Sequence, residues 1–472
     1  MSIWLDVTTI LSWNRPALGV VRVETECARH FLNSMQSDIR FCQYNHSGSR
    51  YVDIDRKYVE GALARIGQGG DQQPSAVPGA VDPAVPVLSR EMRLKRRLVS
   101  MMHCLPRKAR EAAFRFASSR REVFFSGLRA YREMKFAFRT LISPNVSSSL
   151  TDSVVPNLVP NPDTQAPIFE AGDVYVSMGL DWDQKNLEYL YQLKQDIGFG
   201  VVLFCYDIIP IKFPHLCVGD VAPGFAQYFT NVAWCADTIL CISDCSLRDL
   251  SQFLQEVGAP VPELSVVRLG SEVSREPGQL PSASVADILR RRYLLFVSTI
   301  ERRKNHETIY RAYTRLIDAG VTDIPLLVFV GMPGWGVSDL LADLRFDPRI
   351  QPYIRILGQV SDGDLSLLYR HTEFTVFPSL YEGWGLPVAE SLAYGKFCLA
   401  SNAASIPEVG GNLIEYLDPW DVPEWTERLR RYFDHPEAVA EKEAIIRLEY
   451  RAPGWDETGA FVLAAAKQLA TS

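Results

Sequence analysis

Two series of short apolar runs, each alternating with longer amphipathic stretches, organise this chain. In the first, residues 3–8, 39–44, 173–178, 200–206, 238–242 and 264–268 read as strands, with helices over 20–33, 184–197 and 225–236. The run at 200–206 (GVVLFCY) is apolar throughout, which predicts a strand of a parallel sheet covered on both faces. A second series follows, with strands at 293–299, 326–330, 354–357 and 374–377 and helices at 307–319, 338–344 and 361–370. Strands that alternate with helical segments predict open, doubly wound α/β domains. Gly-, Pro- and Ser-rich stretches at 67–89, 143–165 and 271–288 punctuate the pattern. The expected organisation is an N-terminal domain over 1–270 with an insertion at about 50–165, a linker at 271–288, a second domain over 289–450 and a C-terminal helix in 451–472.

Composition changes this picture in only a few places. The chain has 472 residues, of which 47% are hydrophobic and 22% charged, ordinary for a globular protein with two sizeable cores. Its nine cysteines show no CxxC or Cys/His metal spacing and read as buried free thiols. No apolar run is long enough to span a bilayer, and MSIWLDVTTILSW lacks a basic leader region. The expected location is cytoplasmic, with peripheral contact to the inner membrane left open.

The net charge of −7 is unevenly spread, since residues 90–140 contain 15 Lys/Arg and 4 Asp/Glu, a local +11 that leaves −18 for the rest. Apolar clusters such as VFF and FAF are interleaved. The segment reads as basic amphipathic helices suited to an anionic membrane or a lipid-linked substrate; a solvated insertion packed on the first domain is the alternative. Nucleic acid is not an expected partner, because no recognition motif accompanies the charge.

The densest chemistry lies in residues 377–411, FPSLYEGWGLPVAESLAYGKFCLASNAASIPEVGG. A strand enters a loop holding Glu382, Gly383, Trp384 and Gly385, and a helix then opens near Leu386 and Pro387. Glu382 and Glu390 are eight positions apart and flank that helix start, where peptide N–H groups and the helix dipole favour an anion. Carboxylates accept hydrogen bonds from sugar hydroxyls. Upstream, Arg303 and Lys304 follow the strand at 293–299; a guanidinium fork and an ammonium point charge form a phosphate-gripping pair.

EGWGLPVAE, with PSLYEG before it and SIPEVGG after it, resembles the EX7E signature of family 4 retaining glycosyltransferases. The resemblance implies the GT-B fold: two Rossmann-like domains facing a cleft, the first for the acceptor and the second for a nucleotide-diphosphate sugar. It implies that Arg303 and Lys304 hold the donor diphosphate, that Glu390 binds the nucleotide ribose and that Glu382 faces the transferred sugar, with Gly383, Trp384, Gly385 and Leu386 alongside. Gly331 and Val360 resemble loops near the base and phosphates. Tyr206-Asp207-Ile208-Ile209-Pro210 resembles the family's HDxxP segment with Tyr206 in place of His, leaving Asp207 to bind sugar or to cap a turn. Gly19 and Arg22 resemble the GxxR start of bacterial members, on the acceptor side.

The style of these motifs is similar to bacterial mannosyl- and rhamnosyltransferases of surface polysaccharide assembly. A GDP-linked donor, no cofactor, no metal and an acceptor glycan on a polyprenyl-diphosphate carrier are the expectations. Asp53-Ile54-Asp55 has the Asp-x-Asp form of metal-dependent glycosyltransferases but lacks a long apolar strand before it and reads as surface. A nucleotide-sugar epimerase on the same fold, or a non-catalytic scaffold of an assembly complex, are the competing functions.

Overall fold

The computed structural model describes residues 1–13, 17, 19–34, 38–45, 49–67, 167–219, 221–271, 280–358 and 360–471. The basic segment at 90–140 and the Ser/Pro-rich stretch at 143–165 lie outside the described residues. Seven strands form the first sheet: β1 (Ile3–Asp6), β2 (Ile39–Asn45), β3 (Arg50–Ile54), β4 (Val174–Val176), β5 (Gly200–Cys205), β6 (Thr238–Cys241) and β7 (Glu263–Val266). Their order is β3-β2-β1-β4-β5-β6-β7. All pairings are parallel except β2 with β3. The second sheet, wholly parallel, holds β8 (Tyr293–Val297), β9 (Leu326–Val330), β10 (Ile354–Leu357), β11 (Thr375–Phe377), β12 (Cys398–Ser401) and β13 (Glu415–Leu417). Its order, β10-β9-β8-β11-β12-β13, reverses direction between β8 and β11. In such sheets ligands bind beyond the strand C-termini at the point of reversal.

The two sheets are the paired Rossmann-like architecture expected from the sequence. Their central strands are apolar on both faces because helices cover both sides. Leu294, Phe296, Leu327, Phe329 and Val376 pack on one side of the second sheet, and Leu295, Val328, Tyr293 and Tyr369 on the other.

Three expectations need correction. Residues 50–67 were assigned to the insertion, but β3 pairs with β2 and the helix Arg56–Gly67 buries Val59, Ala62, Leu63 and Ile66 in the first domain's core. Their charged faces concealed an amphipathic helix and an edge strand. The linker assigned to 271–288 is also shorter, because the helix Ala283–Ile288 buries Val285 and Ile288 against the second sheet. Finally, a helix not foreseen, Pro436–Glu449, follows the one over Val422–Asp434, with Pro436 tolerated in its first turn.

The last helix, Trp455–Thr471, returns to the first domain. Trp455, Val462, Leu463 and Ala466 join the core formed by Val23, Cys27 and Phe31. Gly459 lets this helix lie against His30, since a Cβ there would be 2.6 Å from the His30 Cβ. The chain thereby crosses between domains twice. Among the described residues no helix is long and apolar enough to cross a membrane.

Candidate active site

The loops after β8 and β11 meet where the second sheet reverses. A 3-10 turn over Arg302–Lys304 follows β8 and ends at Asn305, which adopts a left-handed conformation with φ 59°. Asn tolerates this better than most residues. Its Nδ2 donates to the carbonyls of Pro378 at 3.0 Å and Pro419 at 2.8 Å, tying the turn to the end of β11. That tie brings Arg303 and Lys304 onto Glu382. Arg303 Nη1 lies 2.6 Å from Glu382 Oε2, and Lys304 Nζ lies 2.6 Å from Oε1. Ser379 Oγ donates to Oε1 at 2.6 Å. Arg303 also reaches the Tyr381 carbonyl at 2.8 Å and Glu301 Oε1 at 2.9 Å.

Glu382 is buried. Burial alone would raise its pKa, but the Arg303 and Lys304 charges and the Lys304 and Ser379 hydrogen bonds pull it down to about 2. Lys304 behaves oppositely. Burial and the neighbouring Arg303 lower its pKa, and Glu382 only partly offsets them. One carboxylate is therefore shared by two cations, and a second anion at this spot would stabilise the ammonium.

Asp207 faces this cluster from the end of β5. Its Oδ1 accepts from the Ile209 N–H at 3.0 Å, so it caps a turn as well as facing the cation pair. Burial raises its pKa, and Arg303 opposes that rise. Gly383 lies directly against this strand end: a Cβ would sit 2.4 Å from the Tyr206 carbonyl oxygen and 2.9 Å from the Asp207 Cβ. Only glycine lets the two backbones come so close. The Tyr206 hydroxyl, expected on the acceptor side, donates to the Met178 carbonyl at 2.5 Å and so serves to hold the strand ends together.

Glu390 sits on the helix Leu386–Ala393 with both oxygens engaged. Arg22 Nη1 is 2.8 Å from Oε1, and the Tyr369 hydroxyl donates to Oε2 at 3.0 Å. Burial raises its pKa, against the pull of Arg22 and Tyr369. Arg22, assigned to the acceptor side, therefore contacts the carboxylate assigned to the donor. Gly19 starts the Arg22 helix at φ 54° and is exposed.

The remaining assigned residues divide. Gly385 begins the Leu386–Ala393 helix. The Trp384 ring, assigned to the donor, is buried in the first domain's core with Leu386 packed beside it, and Arg268 lies 5.2 Å from its centroid. The indole is an anchor between domains. Val360 packs against the second sheet's core. Gly331 follows β9, where any Cβ would lie 1.9 Å from the Ser298 carbonyl oxygen, so close packing by itself demands glycine there. Asp53 and Asp55 are exposed. Among the described residues no cluster of His, Cys, Asp or Glu is arranged to hold a metal.

Sequence reasoning missed Ser379, Glu301 and Tyr369, all of which set the site's electrostatics. Ser405 was missed too; its Oγ bonds the carbonyls of Glu382 at 2.9 Å and Trp384 at 2.8 Å, bracing the loop. The signal for Ser379 and Ser405 was their position within the PSLYEG and SIPEVGG segments; Tyr369 carried none.

The second domain is similar to known proteins. Residues 284–443 match the model of the glycosyl transferases group 1 family, so the second sheet and its loops are similar to that family, the one to which the EGWGLPVAE resemblance pointed. An O-antigen chain mannosyltransferase B of Escherichia coli is 32% identical over 188 residues, 40% of this chain and 49% of that protein. A serotype-specific mannosyltransferase WbdA of Escherichia coli is 28% identical over 237 residues, 48% of this chain and 28% of that protein. An MMP alpha-(1->4)-mannosyltransferase of Mycolicibacterium hassiacum is 28% identical over 217 residues, 45% of this chain and 49% of that protein. The chain spans half or less of the length of these curated relatives.

Proposed function

We propose that this protein is a retaining glycosyltransferase that moves a mannose-type hexose or deoxyhexose from a GDP-sugar to a glycan, or a lipid-linked glycan, in bacterial surface polysaccharide synthesis. The observation that carries the reading is the Arg303–Glu382–Lys304 triad at the reversal point of the second sheet, with Asp207 opposite. Glycosyl transfer from a nucleotide sugar builds negative charge on the departing diphosphate, and fixed cations stabilise it. Arg303 and Lys304 supply two such cations on a turn that Asn305 holds rigid. Glu382 keeps them in place before the donor arrives and then orients the hydroxyls of the sugar. Glu390 takes the ribose hydroxyls. The names of the mannosyltransferase relatives support mannose as the sugar and polysaccharide as the setting.

Two cations beside the diphosphate make a divalent metal dispensable, and the chain requires no cofactor besides its donor. Retention of configuration follows from attack on the face from which the diphosphate leaves, with its own oxygen taking the acceptor's proton. The test is a thermal-shift panel of nucleotide sugars, followed by transfer from the best ligand to a mannosylated lipid acceptor. A ligand at 100 times its dissociation constant adds about 2.7 kcal/mol of stability. GDP-mannose or a GDP-deoxyhexose is expected to shift the protein most and to yield a product that keeps the donor's anomeric configuration. Product formed from donor alone would instead identify an epimerase, and binding without turnover a scaffold.

A further inference from the structure

Tyr381 immediately precedes Glu382, yet its side chain points away from the second domain and into the first. Its hydroxyl donates to Asp249 Oδ2 at 2.6 Å and accepts from Lys212 Nζ at 3.0 Å. Cys245 Sγ is 3.4 Å away. Its ring lies against Phe213, with centroids 4.6 Å apart. The main chain of the same residue does something different, for its carbonyl accepts from Arg303 at 2.8 Å. One residue thus joins the donor-side cation to the other domain.

Asp249 and Cys245 lie on the helix Asp244–Glu256, and that helix receives two more ties from the second domain. Ser246 Oγ is 3.2 Å from the Gly383 carbonyl and 2.9 Å from the Tyr206 carbonyl, so it contacts both sides of the Gly383–Tyr206 approach. The Glu408 carboxylate accepts from the Asp244 N–H at 2.8 Å and the Cys245 N–H at 2.7 Å, capping the helix from across the domain boundary. The helix is held at its N-terminus, on its first turn and one turn further on, all by the segment that carries Glu382 or the loop braced to it.

We propose that Tyr381, acting through Asp249 and Lys212, is a positioning residue that sets Glu382 and Arg303 in register with Asp207 when the two domains meet. The proposal rests on the glycosyltransferase reading. If the tyrosine only filled space, phenylalanine would serve, because the ring contact with Phe213 survives and Asp249 keeps its pairing with Lys212. If it positions, the hydroxyl matters. A small displacement of reacting groups costs turnover far more than binding.

The experiment compares Tyr381→Phe, Asp249→Asn and the double variant on the full chain. Donor kinetics, GDP binding by calorimetry and amide exchange of the peptide spanning 379–386 are the three readouts. Each single variant is expected to lower kcat about tenfold while the donor KM and the GDP dissociation constant stay within about twofold. The double variant should lose no more than the worse single one, because both act through one contact. Exchange across 379–386 should accelerate in both. Unchanged kcat, additive losses or unchanged exchange overturns the proposal. Should the unaltered protein transfer no sugar, the reading of function fails, while the docking of the loop by Tyr381 is still judged by the variants' exchange. Exchange and GDP binding then still report whether the loop is docked, which tells that failure from this one.

Discussion

Arg22 of the first domain and Glu390 of the second form an ion pair across the domain boundary, with Nη1 2.8 Å from Oε1. Glu390 is buried and Arg22 only partly exposed, so the carboxylate depends on its partners. Breaking a buried pair leaves a charge in a poor medium. Arg22→Ala is expected to lower unfolding free energy by about 1–3 kcal/mol at pH 7, scaled down for the partial exposure of the pair. Urea denaturation measures it, and an unchanged midpoint would show that the pair contributes nothing.

Removing Lys304 should affect turnover more than folding. Lys304→Ala leaves Glu382 its Arg303 and Ser379 bonds but removes one of the two cations proposed for the diphosphate. Transfer is expected to fall about 100-fold or more, with the melting temperature changed by a few degrees. Kinetics on the purified variant decide it; a kcat/KM near that of the parent protein would refute the assignment.

Glu382 bears on acid stability. Its folded pKa, about 2, lies below its ordinary value of 4.5, so the folded state favours the ionised form. That contribution is present above about pH 4.5 and is lost as pH falls toward 2. Glu382→Gln should lower stability at pH 7 and narrow the difference from the parent protein as the solution is acidified. Parallel denaturation curves from pH 3 to 7 test the convergence.

Glu24 has the opposite sign. It is fully buried beside Gly179 in the first domain, near the pairing of Lys185 with Asp6 and Asp181. Burial raises its pKa, Lys185 lowers it, Asp6 and Asp181 raise it again, and it rises from 4.5 to about 8. Between those values the folded protein keeps a proton that the unfolded chain has released, so stability falls as pH rises through that window and levels off above it. Each unit is worth about 1.4 kcal/mol. Glu24→Gln should flatten the slope and be the more stable protein at pH 8. A slope equal to that of the parent protein contradicts this.

Metal removal tests the proposed chemistry directly. If Arg303 and Lys304 stabilise the diphosphate as proposed, turnover in excess EDTA should match that in magnesium. Loss with EDTA and recovery with Mg²⁺ would overturn the proposed charge balance.

The amino-acid pattern by itself determined a good deal. The continuous apolar run at 200–206 pointed to a sheet strand covered on both faces, because such coverage buries both sides of a strand. The glycines and Pro387 around Glu382 marked a strand–loop–helix turn, since local backbone geometry depends on neighbouring residues. What periodicity could not determine was which side chain of that turn goes where. Trp384 reads as a donor-side residue, yet its ring and the side chain of the nearby Tyr381 both enter the first domain. Arg22 and Glu390, 368 positions apart, became partners, and the last helix joined a core begun by the first strands. Such contacts depend on how two independently formed sheets and their loops pack together. Burial and pairing energies between distant segments leave no periodic trace in either one, so only the tertiary structure decided them.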